Sequence, residues 1–307
     1  MNSAKKHLLL VGGTGFLGSH ILHHAAKLDW QITVLGKRER SFSDSSSISY
    51  HNTDLGKKTD LAMALGDIAF DYVINCAGYV DHTLYFQGGR ATFDAHFTSI
   101  LNLVDVINKD RLQCFINIGS SDEYGNCIAP QREEGRESPI SPYAMGKVAA
   151  NHFLQMLYRT EKFPAVTLRC FLVYGPGQNL PRFLPQVIHG CLKKESFPTS
   201  MGEQLRDFCY IDDVVDAIFI ALRASQAHGE VINIASGIPT AIRDILMKIQ
   251  TIVGAGEPLF GKIPYRVGEN MALYADISKA RALLDWSPKV TLDEGLKNTI
   301  AWISERI

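Results

Sequence analysis

His7-Leu8-Leu9-Leu10-Val11-Gly12-Gly13-Thr14-Gly15-Phe16-Leu17-Gly18 is the stretch on which the fold turns. Its first five residues, mostly apolar and continuous, suit a short strand buried on both faces. The run then breaks at glycines, and an amphipathic stretch, Gly18–Leu28, follows. Glycine at 12, 15 and 18 permits a tight turn, close approach of a pyrophosphate, and close packing of helix on strand. The start of such a helix turns unpaired N–H groups toward phosphate oxygens. A glycine triplet alone is a weak signal, but between a first strand and a first helix it points to dinucleotide binding. Gly12, Gly15, Phe16, Leu17 and Gly18 are therefore cofactor-binding candidates.

Outward from this unit the pattern repeats. Gln31–Leu35, Tyr72–Asn75, Cys114–Ile118 and Val166–Phe171 read as short apolar strands. Asp60–Gly66, Phe93–Asn108 and Tyr143–Arg159 read as the helices between them, and Ser41–Ser49 as a polar loop. Strands alternating with helices predict an α/β fold: a doubly wound parallel Rossmann sheet, with ligands at the strands' carboxyl ends. After Tyr174, Gly175-Pro176-Gly177, Pro181, Pro185 and Pro198 mark a more irregular region. A helix at Val214–Ala224 and a strand at Val231–Ala235 return to the sheet. The expected organisation is a dinucleotide-binding domain over 1–171, rejoined by about 207–236. A smaller, discontinuous C-terminal substrate lobe takes 172–206 and 237–307.

The second strand of an NAD site usually ends in an acidic residue that binds the ribose hydroxyls. Here it runs into Gly36-Lys37-Arg38. A carboxylate would repel a 2′-phosphate, whereas Lys37 and Arg38 can pair with one, so NADP(H) is the expected cofactor. In Thr53-Asp54-Leu55, Asp54 is a candidate acceptor for the adenine amino group, with Leu55 beside it; a turn or cap role for Asp54 stays open. Further on, Ser141-Pro142-Tyr143-Ala144-Met145-Gly146-Lys147 opens a helix with Ser141 as its cap. Tyr143 and Lys147, four apart, share one face. A phenol titrates near ~10, and a neighbouring ammonium lowers that value, bringing proton exchange within reach near neutrality. Tyr-x-x-x-Lys is also an ordinary helix-face pair; its position downstream of the glycine loop gives it meaning.

The formal net charge of −1 leaves no basic field for nucleic acid or an anionic membrane surface. No apolar run has the length that spans a bilayer. The six cysteines are scattered without a C-x-x-C pair, so no metal site is expected and a reducing, cytoplasmic setting is.

Taken with Asn75-Cys76-Ala77-Gly78, Gly119-Ser120-Ser121-Asp122-Glu123-Tyr124-Gly125, Val173-Tyr174-Gly175-Pro176-Gly177-Gln178, Arg206-Asp207-Phe208, Tyr210-Ile211-Asp212-Asp213-Val214, Arg266-Val267-Gly268-Glu269 and Leu284-Asp285-Trp286-Ser287-Pro288, the chain resembles the extended short-chain dehydrogenase/reductase family over essentially its whole length. That family includes sugar-nucleotide epimerases, dehydratases and reductases. The resemblance implies that Tyr143 exchanges a proton with a sugar oxygen while hydride passes between the nicotinamide and the sugar carbon. It implies that Lys147 binds the nicotinamide ribose, that Ser120 hydrogen-bonds the reacting oxygen, and that Ala77 and Gly78 line the cofactor. Ser121 and Asp122 then face the sugar, and Arg206 and Arg266 match residues that bind a sugar nucleotide's diphosphate. Asp212 and Asp213 read as caps of the helix that follows. Two departures stand out: Leu172 and His96 occupy places where many relatives carry Asn.

The leading expectation is an NADPH-dependent reductase of a nucleoside-diphosphate 4-keto-6-deoxysugar, working as a homodimer. A sugar-nucleotide 4-epimerase or 4,6-dehydratase is the alternative. A dinucleotide-binding regulator without chemistry is a third reading, disfavoured by the intact Ser120, Tyr143 and Lys147.

Overall fold

A computed structural model describes residues 5–37, 46–265 and 268–307. Arg38 and Arg266 lie outside the described residues.

The central sheet has seven strands: β1 (His7–Val11), β2 (Gln31–Gly36), β3 (Ile48–Asn52), β4 (Tyr72–Asn75), β5 (Cys114–Ser120), β6 (Ala165–Cys170) and β11 (Val231–Ile234). Their spatial order is β11-β6-β5-β4-β1-β2-β3. β1 pairs in parallel with both β2 and β4, and β2 with β3 and β4 with β5 likewise. The chain moves outward from β1 to β2 and β3, then jumps back to β4 on its other side. This reversal leaves a crevice beyond the carboxyl ends of β1 and β4, where ligands bind in such sheets.

The helices α1 (Phe16–Ala25), α2 (Lys58–Leu65), α3 (Arg90–His96), α4 (Thr98–Val106) and α5 (Pro142–Glu161) belong to the same layered unit. Leu9, Val11, Val73 and Phe115 from the strands pack with Leu61, Ile100, Leu103, Val104, Leu154 and Leu157 from the helices, all buried. The continuous apolar strands are what such a doubly covered sheet requires. Ser141 caps α5 by accepting a hydrogen bond from the Ala144 amide (3.1 Å), and Pro142 takes the first helical position, where its missing N–H costs nothing.

The structure differs from the sequence expectation in two elements. β3 is a sheet strand, although its residues Ile48-Ser49-Tyr50-His51-Asn52 are half-buried and mostly polar. An edge strand buries little, so it lacks the apolar run that marked the others. The single helix expected over 93–108 is two, parted at Phe97, whose ψ of −56° and φ of −103° leave regular helix.

The chain divides into two compact units: residues 1–126, 136–169 and 215–232, and residues 127–135, 170–214 and 233–307. The second unit contains β7 (Leu172–Tyr174) paired with β10 (Phe208–Tyr210), and β9 (Leu205–Arg206) between β12 (Thr240–Ala241) and β14 (Ala272–Leu273). It also holds β8 (Ser196–Pro198) with β13 (Glu257–Leu259), and helices α6 (Phe183–Leu192), α8 (Ile242–Val253), α9 (Ser278–Leu284) and α10 (Leu292–Ser304). Within it, Asp207 accepts bonds from the amides of Ser236, Gly237 and Ala275, and Asp213 from those of Lys289 and Val290. The boundary between the units falls inside α7 (Ile211–Ala221). Among the described residues no helix is long and apolar enough to cross a membrane.

Candidate active site

The glycine loop leaves the end of β1 and packs on the loop that follows β4. Gly12 adopts φ +84°, and a Cβ there would stand 2.7 Å from the Ala77 backbone. A Cβ on Gly18 would meet the Gly12 carbonyl oxygen at 2.2 Å, so helix and loop touch backbone to backbone. Gly15 differs: it is exposed, and its nearest neighbour is at 3.4 Å. It is also the N-cap of α1, and no side chain caps that helix start. The free amides of the first turn and the open face at Gly15 suit a pyrophosphate, so this cradle fits a dinucleotide. Phe16 and Leu17 open the helix, half-buried. Ala77 lies directly across from Gly12, past the end of β4, and Gly78 follows it against the His96 ring.

Lys37 follows β2, and its ammonium stands 3.0 Å from the Asp54 carboxylate. That hydrogen bond, with a second from the Gly56 amide, holds the Asp54 carboxyl below its ordinary range. The structure thus brings two candidate cofactor residues together as partners on the exposed rim. Leu55 packs partly buried against the core, and its carbonyl accepts from Asn102.

The candidate catalytic residues converge from β5 and α5. Tyr143 and Lys147 are buried on one face of α5, and the Lys147 ammonium donates to the Ile118 carbonyl of β5 at 2.6 Å. Ser120 ends β5 and caps the 3-10 turn Ser121–Tyr124 in a reciprocal box. The Ser120 hydroxyl accepts from the Asp122 amide (3.2 Å), while the Ser120 amide donates to Glu123 Oε1 (2.8 Å). Glu123 is fully buried, and its Oε2 takes two bonds from Arg169 at 2.9 and 2.7 Å. Arg169 also reaches Glu137 at 2.9 Å and lies over the Tyr124 ring. Burial lowers the guanidinium's pKa, but the Glu123 carboxylate and the Tyr124 phenol beside it outweigh that and hold it above its ordinary value, so Arg169 stays charged. Sequence reading missed this anchor, because its members stand far apart in the chain.

Two imidazoles meet the Tyr143 ring edge-on, with centroids at 4.8 Å for His96 and 5.9 Å for His82. His96 is buried, and its Nε2 bonds the Tyr79 carbonyl at 2.9 Å. Burial, reinforced by the Lys147 charge, pushes its pKa down to about 3, so the ring is neutral. It also presses on Gly78, where a Cβ would stand 2.2 Å from it. His82 is exposed and faces Asp122, with Nε2 to Oδ2 at 3.6 Å. No sequence motif had singled out His82. Ser121, next to Asp122 on the turn, is buried. Cys76 is close by; burial pushes its thiol up to about 12, which keeps it protonated and unreactive.

In the second unit, Arg206 on β9 donates to the Leu205 carbonyl at 2.7 Å and forms an ion pair with Glu269. Among the described residues no group of three or more His, Cys, Asp or Glu could hold a metal ion.

Comparison with known proteins agrees with this fold. An uncharacterized UDP-glucose epimerase of Bacillus subtilis, YtcB, is 28% identical over 97% of this chain and 98% of its own length. The UDP-glucuronic acid 4-epimerase of Bacillus cereus, solved with UDP-glucuronic acid and NAD, is 28% identical, with a TM-score of 0.88 covering 98% of this chain and 100% of that one. The UDP-glucose 4-epimerase of Thermotoga maritima, solved with UDP-glucose, is 25% identical with a TM-score of 0.89, covering 98% and 99%. Residues 8–235 match the family model that spans the glycine loop, Ser120, Tyr143 and Lys147. By that match, which covers most of its length, the chain belongs to the NAD-dependent epimerase/dehydratase family.

Proposed function

We propose that this protein is an NADPH-dependent reductase of a nucleoside-diphosphate 4-keto-6-deoxysugar, giving a 6-deoxyhexose nucleotide. The observation that carries this reading is the set of carboxylates around Ser120 and Tyr143. A 4,6-dehydratase removes a C5 proton and expels the C6 hydroxyl, and so needs acid–base groups beyond the tyrosine. On the 3-10 turn Glu123 is committed to Arg169 in the core, and Ser121 is a poor acid for a leaving hydroxyl. The turn therefore offers Asp122 alone, and it is engaged with His82.

When bound, the nicotinamide supplies or accepts hydride at the sugar carbon. This chain's residues handle the oxygen. Tyr143 donates its phenolic proton to the oxygen as the ketone becomes an alcohol, and the Ser120 hydroxyl donates a hydrogen bond to the same atom. The Lys147 ammonium, in a buried site, favours the ionised phenol that proton donation leaves behind.

Lys37 after β2, in place of an acid, supports NADP(H). Its partner Asp54 must yield it to a 2′-phosphate, so Lys37→Ala should weaken NADPH binding and leave NADH binding nearly unchanged. Arg206 is the described candidate for the substrate diphosphate, exchanging Glu269 for phosphate oxygens. A homodimer is part of this reading.

The second reading is a 4-epimerase, favoured by the activities for which the two solved relatives above are named. The experiment separates the two. Purified protein is given NADPH with a 4-keto-6-deoxysugar nucleotide, and the product is identified. Stoichiometric NADPH oxidation is the expected result. Untouched NADPH, together with epimerisation or dehydration of an unmodified hexose nucleotide without added cofactor, overturns the proposal.

A further inference from the structure

A reductase consumes a proton at every turnover, whereas an epimerase returns the proton it borrows. Tyr143 is 5% exposed and Lys147 7%, so the phenol that gives its proton to the sugar has little direct contact with water. Something must connect it to solvent. Of the two imidazoles on its ring, His96 cannot serve: it is buried, neutral, and tied by Nε2 to the Tyr79 carbonyl. His82 has the opposite surroundings. Its side chain is 46% exposed, and the Asp122 carboxylate stands 3.6 Å from Nε2. Asp122 is itself fixed by the turn that carries Ser120, since its amide donates to the Ser120 hydroxyl. Asp81, next in the chain to His82, is occupied by the Thr83 amide and hydroxyl at 2.9 and 2.7 Å. Among the described residues, Asp81, Asp122 and Tyr143 lie against His82, and His96 meets the same phenol ring.

Resting on the reductase reading above, we propose that His82, held by Asp122, is the relay that reloads Tyr143 with a proton from solvent. The step balances. The Tyr143 O–H bond breaks and its proton goes to the oxygen of the sugar carbon that receives hydride. The phenolate then takes a proton from the His82 imidazolium across their contact, and the neutral ring takes one from water. One solvent proton is consumed for each ketone reduced. His82 acts through Tyr143 and touches neither hydride nor sugar carbon in this scheme.

The test uses His82→Gln, a change on an exposed loop, with Asp122→Asn as a second variant. With NADPH and a 4-keto-6-deoxysugar nucleotide, the first turnover of His82→Gln should match the wild type, because Tyr143 enters it already protonated. Its steady-state kcat should fall by about tenfold or more, a modest share of an acid–base contribution. KM should hold, and added imidazole should restore the rate. In the cofactor-free protein, exchange of the Tyr143 hydroxyl proton with solvent, read from the isotope shift of its labelled Cζ, should slow by a similar factor. A first turnover that falls together with kcat, failure of imidazole to rescue, or an unchanged hydroxyl exchange rate each overturns the relay. If the wild type leaves NADPH untouched, the reductase reading fails instead, and the hydroxyl exchange still decides the relay on its own.

Discussion

Tyr143 and His96 touch ring to ring, yet the consequence of one lies in turnover and of the other in stability. Tyr143→Phe keeps the ring and removes the proton, so turnover should drop by roughly 10²–10⁴-fold while cofactor affinity holds. A variant keeping most of its kcat would show that another group supplies the proton. For His96 the consequence lies in stability. Its folded pKa is about 3 against an ordinary 6.5, so between those values the unfolded chain binds the extra proton. The buried neutral ring therefore contributes its full stability above pH 6.5 and loses it progressively as pH falls toward 3. Denaturant unfolding of the wild type and His96→Asn across that window should show a flatter pH slope in the variant. Equal slopes would place the charge change elsewhere.

The turn Ser121–Tyr124 owes its position to one ion pair. Glu123 and Arg169 are both fully buried, and Glu123 also holds the Ser120 amide. Removing Glu123 strips the buried Arg169 of its fully buried carboxylate and leaves it Glu137 alone. Glu123→Ala should accordingly lose ~3–5 kcal/mol of stability, and activity should fall with it as Ser120 loses its anchor. Replacing Glu123, Arg169 and Glu137 together with apolar residues of similar volume should restore much of the stability without restoring the activity. Thermal unfolding and kcat, measured on the same samples, test both halves. Elements of this site were unequally legible in the sequence. The glycine loop and the Tyr143–Lys147 pair could be read because their meaning lies in spacings of three and four residues. Glu123–Arg169 and His82–Asp122 could not, since each joins residues 46 and 40 positions apart through the folded sheet. β3 was missed for a related reason: a half-buried edge strand carries no local apolar signal, and only its pairing with β2 defines it. The break at Phe97 also lay beyond reach, as the apolar period runs through both α3 and α4.

At the scale of the molecule, α5 presents Met145, His152 and Met156 on one exposed face, a partly apolar stripe three turns long. In the homodimer proposed above, this stripe is the natural face to be covered. Met145→Glu combined with Met156→Glu should yield a monomer by sedimentation, where the wild type sediments as a dimer. A monomeric wild type removes the dimer from the reading. The order of the chain has its own consequence for how the protein is made. β6 ends at Cys170, but its neighbour β11 begins only at Val231, after the intervening segments of the second unit. A ribosome adding ~5–20 residues per second leaves that sheet edge open for about 3–12 s. During that interval the nascent chain carries a row of unpaired backbone groups beside fully buried-type side chains, the kind of surface that chaperones hold and that neighbouring chains stick to.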